Sequence, residues 1–142
     1  MHTNQELFEA ATRCMEAFLT WHDPLRVPAV SELAAVLTPD FRIVNTPPHT
    51  PIVGYEEYRK VCAYLIDRGV NVIASWEMLA VGPEIAVLHD HHSMVYRDVN
   101  ERTHIERILL LKAREGRISE FRAIPLDPRH YEWARQRFDG SV

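Results

Sequence analysis

Several features that would settle the class of this chain are missing. No window of the 142 residues approaches the ~18 apolar side chains of a membrane span. Lys and Arg form no dense run and the net charge is −4, which argues against a nucleic-acid groove. There are two cysteines, Cys14 and Cys62. Both sit in helix-like stretches with no metal-type spacing, so they read as small core residues and no disulfide is expected. The opening MHTNQELFEAATR has no basic segment followed by an apolar one and does not read as a signal peptide. A cytoplasmic location is the expectation that follows. No internal repeat, low-complexity segment or second composition regime is visible. The length fits one domain spanning 1–142, and 46% hydrophobic with 25% charged residues is ordinary for a globular protein.

What is present begins with helices. Leu7, Phe8, Ala11, Cys14, Met15, Phe18, Leu19 and Trp21-His22 recur at i, i+3/i+4, predicting an amphipathic helix over 5–22. Asn4 is its candidate cap, and Asp23-Pro24 stops it. Ser31 is the candidate cap of a second helix over 31–37, which ends before Thr38-Pro39. FRIVN, 41–45, reads as a short strand. Three prolines in the six residues 46–51 make a stiff loop, which includes His49. Gly54 precedes a third helix over 55–68, with Tyr58, Val61, Cys62, Leu65 and Ile66 on its apolar face and Gly69 at its end. Strands are expected over 70–81, 85–97, 102–113 and 117–125, with a short C-terminal helix over 127–138 carrying Tyr131, Trp133 and Phe138. Helices first and an antiparallel meander after predict an α+β fold, with helices on one face of a curved sheet. Such a cone can enclose a ligand.

The unusual strand is IAVLHDHHSMVY, 85–96. Alternation puts Leu88, Asp90, His92 and Met94 on one face, and Val87, His89, His91 and Ser93 on the other. Titratable groups framed by apolar ones are costly to bury unless paired or used. Four consecutive side chains that point alternately apart cannot converge on one ion, so no metal site is expected.

The layout resembles the NTF2-like superfamily, also called the cystatin-like cone fold. The resemblance is carried by LTPDFRIVNTPP followed by Gly54 and a helix, and by the hairpin ending REGRISEFRAIPLD. Within that superfamily the chain looks like limonene-epoxide-hydrolase-like and SnoaL-like proteins. Val44-Asn45-Thr46-Pro47 is similar to the Asn-x-Pro segment of the epoxide hydrolases, and LDPRHYEWARQRF to their final helix. Their Asp–Arg–Asp arrangement, with a Tyr and an Asn, is not kept. The Asn falls on Asn45, but the Tyr position falls on Ile43, the Arg on Asp90, and the two Asp on His92 and Ala123.

The resemblance implies an orientation. Asp90 and His92 face the cone interior, while His89 and His91 face outward, where a homodimer through the sheet is expected. The same register places Arg107 inside, as the candidate partner of Asp90. Asp90 and His92 are the candidate catalytic pair, with His92 as general acid/base, its pKa raised and its ring oriented by the carboxylate. The alternative is a buried polar network that only satisfies itself. Arg107 and Asn45 would stabilise developing oxyanion charge, although Asn45 could equally cap a turn. Trp21, Tyr58, Trp76 and Met94 would line an apolar cavity, Tyr64 is more a core residue, and Glu120 points outward. The expected function is a cofactor-independent enzyme doing acid/base chemistry on a polyketide- or terpenoid-like ring compound. The reaction would be isomerisation, cyclisation, dehydration or epoxide opening. The alternative is a non-catalytic ligand-binding or dimerisation module. No nucleic acid or membrane partner is expected.

Overall fold

The computed structural model describes residues 3–22, 25–46, 51–68, 70–96, 101–129, 132 and 136. Helix α1 spans Asn4–His22. It is capped by Thr3 and not by Asn4: the Thr3 hydroxyl accepts the Glu6 N–H at 3.1 Å, and the Glu6 carboxylate accepts the Thr3 N–H at 3.1 Å. This reciprocal box satisfies two otherwise orphan donors. One stripe of α1, Leu7, Ala10, Ala11, Cys14, Met15, Phe18 and Trp21, is buried. Leu7, Ala11, Cys14 and Phe18 recur at the three- and four-residue spacing that keeps one helix face on the core. Phe8 falls off that stripe and is exposed.

Helix α2, Val30–Val36, starts before Ser31, with Ala29 as its cap residue and the Glu32 carboxylate accepting the Ala29 N–H. It runs directly into strand β1, Leu37–Val44, which begins four residues before the expected strand. Pro39 is tolerated there because the pairing shifts between Leu37 and Arg42, so its missing N–H breaks no continuous ladder. A two-residue strand, β2 (Ile52–Val53), pairs with β1 and leads into helix α3, Gly54–Asp67. Tyr58, Val61 and Cys62 of α3 are buried and Leu65 packs against the core, whereas Ile66 is exposed. The meander follows as β3 (Val70–Val81), β4 (Ala86–Tyr96), β5 (Glu101–Arg114) and β6 (Arg117–Pro125). The expectations for Asp23-Pro24, His49, Gly69 and most of the C-terminal helix, Tyr131, Trp133 and Phe138 included, lie outside the described residues.

The sheet order is β2-β1-β6-β5-β4-β3. All neighbours are antiparallel except β1 and β6, which are parallel because α3 and the meander return the chain to the far side of β1. The architecture is α+β, a curved and mostly antiparallel sheet with helices on its concave face. The core lies between them, made chiefly of the α1 stripe, Leu33, Phe41, Leu88, Leu109, Leu111, Ile118 and Phe121. No described helix is long and apolar enough to cross a membrane.

Candidate functional site: a buried Asp–Arg–His cluster on a cavity wall

Register places the site. Trp76, Asp90 and Arg107 are Cα partners across β3, β4 and β5, so their side chains share one face. On β4, Ala86, Leu88, Asp90 and Met94 are buried, while Val87, His89 and His91 are partly exposed. Asp90 and His92 therefore look inward. His89 and His91 look outward, where His89 lies 3.6 Å from Glu77 and 3.5 Å from Glu106. The His91 ring stacks on His104 at 5.3 Å. Glu120 lies on the outer face beside Lys112 and Arg122.

Asp90 is fully buried and Arg107 almost so. The guanidinium grips the carboxylate with two bonds, Nε to Oδ1 at 2.9 Å and Nη2 to Oδ2 at 2.6 Å. Such fork-to-fork pairs are short and directional. Nη1 reaches the Thr46 hydroxyl at 3.4 Å, and the guanidinium carbon sits 5.7 Å from the centre of the Phe121 ring. His92 Nε2 lies 2.8 Å from Arg107 Nη2 and 2.9 Å from Asp90 Oδ2. Burial pushes the Asp90 carboxyl up, but the Arg107 charge and the bonds from His92 and Arg107 outweigh it and hold it well below the usual range. His92 moves opposite to the sequence expectation. Burial and then the Arg107 charge lower its pKa, and Asp90 only partly offsets them. The imidazole is neutral near pH 7 because a second cation beside Arg107 would lie in a poorly solvated place.

This cluster forms one wall of a cavity of about 90 Å³. The remaining lining is mainly apolar, including Phe18, Ile43, Ile52, Val61, Leu65, Val72, Met94, Ile105 and Phe121. His92, Arg107, Tyr58 and Met94 line it as expected from the sequence. Four other candidates, Trp21, Trp76, Asn45 and Asp90, do not. Trp21 packs behind the lining, fully buried and edge-on to Tyr58. Trp76 is partly buried against the core but does not reach the cavity. Asn45 directs its side-chain amide to the Ala123 carbonyl at 2.9 Å, with a positive φ of 63°. It locks the end of β1 to β6, as a turn residue does, and is not among the described residues that line the cavity. Asp90 itself lies behind His92 and Arg107, out of the lining.

Sequence reasoning missed His22. This residue ends α1, four positions after Phe18, and lines the cavity. Its Nε2 lies 3.2 Å from the Tyr58 hydroxyl, and its ring centre lies 6.3 Å from that of His92. Burial, then the His92 and Arg107 charges, lower its pKa to about 3. A histidine continuing an apolar helical stripe was the available signal. Thr46 was also missed. The Cys62 thiol in the same wall is pushed up to about 11 by burial and is no thiolate nucleophile. Among the described residues no group of three or more His, Cys, Asp or Glu could hold a metal ion.

No protein-family model matches this sequence, and no curated protein matches it. Solved structures match it well in shape. An LEH-like epoxide hydrolase of M. tuberculosis superposes with a TM-score of 0.65 at 15% identity, covering 92% of this chain and 91% of that one. An NTF2-like protein of Anabaena variabilis gives 0.67 at 14% identity, covering 89% and 94%. A proposed SnoaL-like polyketide cyclase from Jannaschia sp. gives 0.61 at 17% identity, covering 87% and 91%. At such identities the likeness is one of fold, and the fold of this chain is that of the NTF2-like proteins.

Proposed function

We propose that the cavity binds an apolar, oxygen-bearing ring compound and that His92 moves a proton on it. The observation that carries this reading is an imidazole on the wall of a mainly apolar cavity, held by a buried ion pair. His92 Nε2 is taken up by the pair, which leaves Nδ1 for the ligand. When Nε2–H donates to Asp90, the Nδ1 lone pair is a base. When Nε2 accepts from Arg107, Nδ1 carries the proton and is an acid or hydrogen-bond donor. Both forms are neutral, so the ring can switch roles without placing a charge in the cavity. Asp90 and Arg107 act as positioning residues. Arg107 spends its charge on Asp90 and is a weaker oxyanion partner than the sequence suggested. The reaction class is proton transfer: isomerisation, cyclisation, dehydration or epoxide opening, with no cofactor. A cavity of about 90 Å³ holds about three waters at the ~30 Å³ each takes in the liquid, so a ring compound would fill it and extend into its open side, and a fused polycycle is too large.

A second reading is a ligand-binding module without turnover. It is favoured by the closure of the Asp90–Arg107–His92 network on itself and by the lowered His92 pKa, both of which suit a static support. Incubating the protein with a panel of ring ketones, enones and epoxides, with products followed by NMR, separates the two. The enzyme reading expects turnover that falls as pH drops and that His92→Ala abolishes with folding intact. Ligand binding without turnover by the wild type on every compound would overturn it. A homodimer through the outer face of β3–β5 completes the proposal. It rests on the exposed Leu79 and the partly exposed Val87, Ile108 and Leu110 there, and light scattering tests it.

A further inference from the structure

We infer that the ligand of this cavity is uncharged, and that its oxygen is held by His92 together with a second group, the Tyr58 hydroxyl supported by His22. The inference rests on the cavity described above and specifies the class of compound it takes. Among the described residues, Arg107 is the only lining side chain with a permanent charge, and its guanidinium is gripped along one edge, by two bonds, by the fully buried Asp90 carboxylate. The pair contributes no net charge. An anionic ligand would have to compete with Asp90 for Arg107 and would meet that carboxylate within the same cluster. The Tyr58 hydroxyl and the Cys62 thiol are neutral as well, held so by burial. A carboxylate or phosphate entering this space would lose its hydration without gaining a free countercharge.

The polar groups are contiguous. Thr46, Arg107, His92, His22 and Tyr58 follow one another at 3.4 Å (Thr46 to Arg107), 2.8 Å (Arg107 to His92), a 6.3 Å ring separation (His92 to His22) and 3.2 Å (His22 to Tyr58). The two imidazoles are neighbours on the wall, which brings the Tyr58 hydroxyl held by His22 into the same polar run as His92. Tyr58 fixes the His22 ring through Nε2. It is itself clamped by Phe18 and Phe41, with ring centres at 5.8 and 6.1 Å. His22 Nδ1 is buried with no hydrogen-bond partner among the described residues. Neither ring nitrogen of His22 is therefore open to a ligand; when Nε2–H donates to the Tyr58 oxygen, the Tyr58 O–H is left to donate to a ligand oxygen.

Three matched probes test this by NMR titration of the whole protein: isopropylcyclohexane, its ring ketone and its ring carboxylate. The ketone should bind at least about a hundredfold tighter than the carboxylate, because a buried unpaired charge is disfavoured by more than that factor. It should also bind about tenfold tighter than the hydrocarbon. Tyr58→Phe, or His22→Phe should the first variant not fold, should erase most of the ketone's advantage over the hydrocarbon, with both probes measured on the same variant. A carboxylate that binds as tightly as the ketone overturns the inference. An unchanged ketone preference in the variants, or no binding of any probe, does the same. Selective ketone binding without any turnover would leave it standing and sink the enzymatic reading instead.

Discussion

Replacing Arg107 by Met isolates the electrostatic role of the buried pair. Met is similar in length and apolar, so the loss is mainly one of charge and hydrogen bonds and not of volume. In the native protein Asp90 is fully buried and takes bonds of 2.9 and 2.6 Å from Arg107. Removing one side of a buried pair costs about 3–5 kcal/mol, a large share of the roughly 5–15 kcal/mol that holds a domain folded. The deficit should depend on pH. Without Arg107, burial is the main influence left on Asp90, and its folded pKa should rise above the unfolded value. Such a group favours the fold below its unfolded pKa and loses that contribution as pH rises through the folded one. The deficit should therefore be smallest in mild acid and grow toward neutrality. Adding Asp90→Leu removes the stranded carboxylate, and the double variant should recover most of the loss, since apolar replacements of buried pairs are often neutral or better. Urea unfolding followed by far-UV circular dichroism measures each variant, with an unchanged denaturant slope as the check on two-state behaviour. A single variant that loses less than about 1 kcal/mol near neutrality, or a double variant no better than the single, would refute the account of a closed ionic unit.

Acid should weaken the fold early. His22 has its pKa lowered to about 3 and His92 is lowered as well, so below about pH 6.5 the unfolded chain binds protons that the folded chain refuses, and stability falls by up to about 1.4 kcal/mol per pH unit for each histidine. Further down, Asp90, held low in the fold, adds to the loss as it protonates. Thermal unfolding across this range should show the slope, and His22→Phe should flatten it. Asn45 offers a separate check. Asn45→Gly should cost about 1 kcal/mol for the lost bond to Ala123, whereas Asn45→Val should cost about 2–3 kcal/mol, because a β-branched residue resists the positive φ. Equal losses in the two variants would count against the backbone explanation.

Much of this architecture can be read from the chain alone. The apolar stripe of α1, the apolar face of α3 and the alternation along β4 are local patterns, each imposed by the 3.6-residue or two-residue period of its element. They were enough to expect an α+β cone, to put Asp90 and His92 on one face, and to pair Asp90 with Arg107 once the register was chosen. The sequence could not price the environment of that pair. A carboxylate two residues away suggests a raised histidine pKa, but the measure of desolvation and the placement of Arg107 against His92 Nε2 exist only after β4 and β5 are covered, and they reverse the sign.

Other features belong wholly to the tertiary structure. For Asn45 the sequence left a ligand contact and a turn cap both open, and the parallel pairing of β1 with β6 brought the Ala123 carbonyl within 2.9 Å of its amide. Trp21 and Trp76 have the chemistry of a cavity lining but not the position, because the places nearest the void are taken by Phe18, Tyr58 and Phe121. His22 gained its place beside His92 only when α1 docked on the sheet. Helical phase sets which residues share a face, and packing against a distant strand sets what that face meets. By itself the sequence determined the elements and which residues share a face, since these follow from periods a few residues long, while the choice of inner face came from the resemblance. The cavity, the charge balance at its wall and the company His92 keeps were decided by contacts between residues far apart in the chain, such as Arg107 with His92 and Phe18 with Phe121, whose energies come into being only when the whole sheet is closed over by its helices.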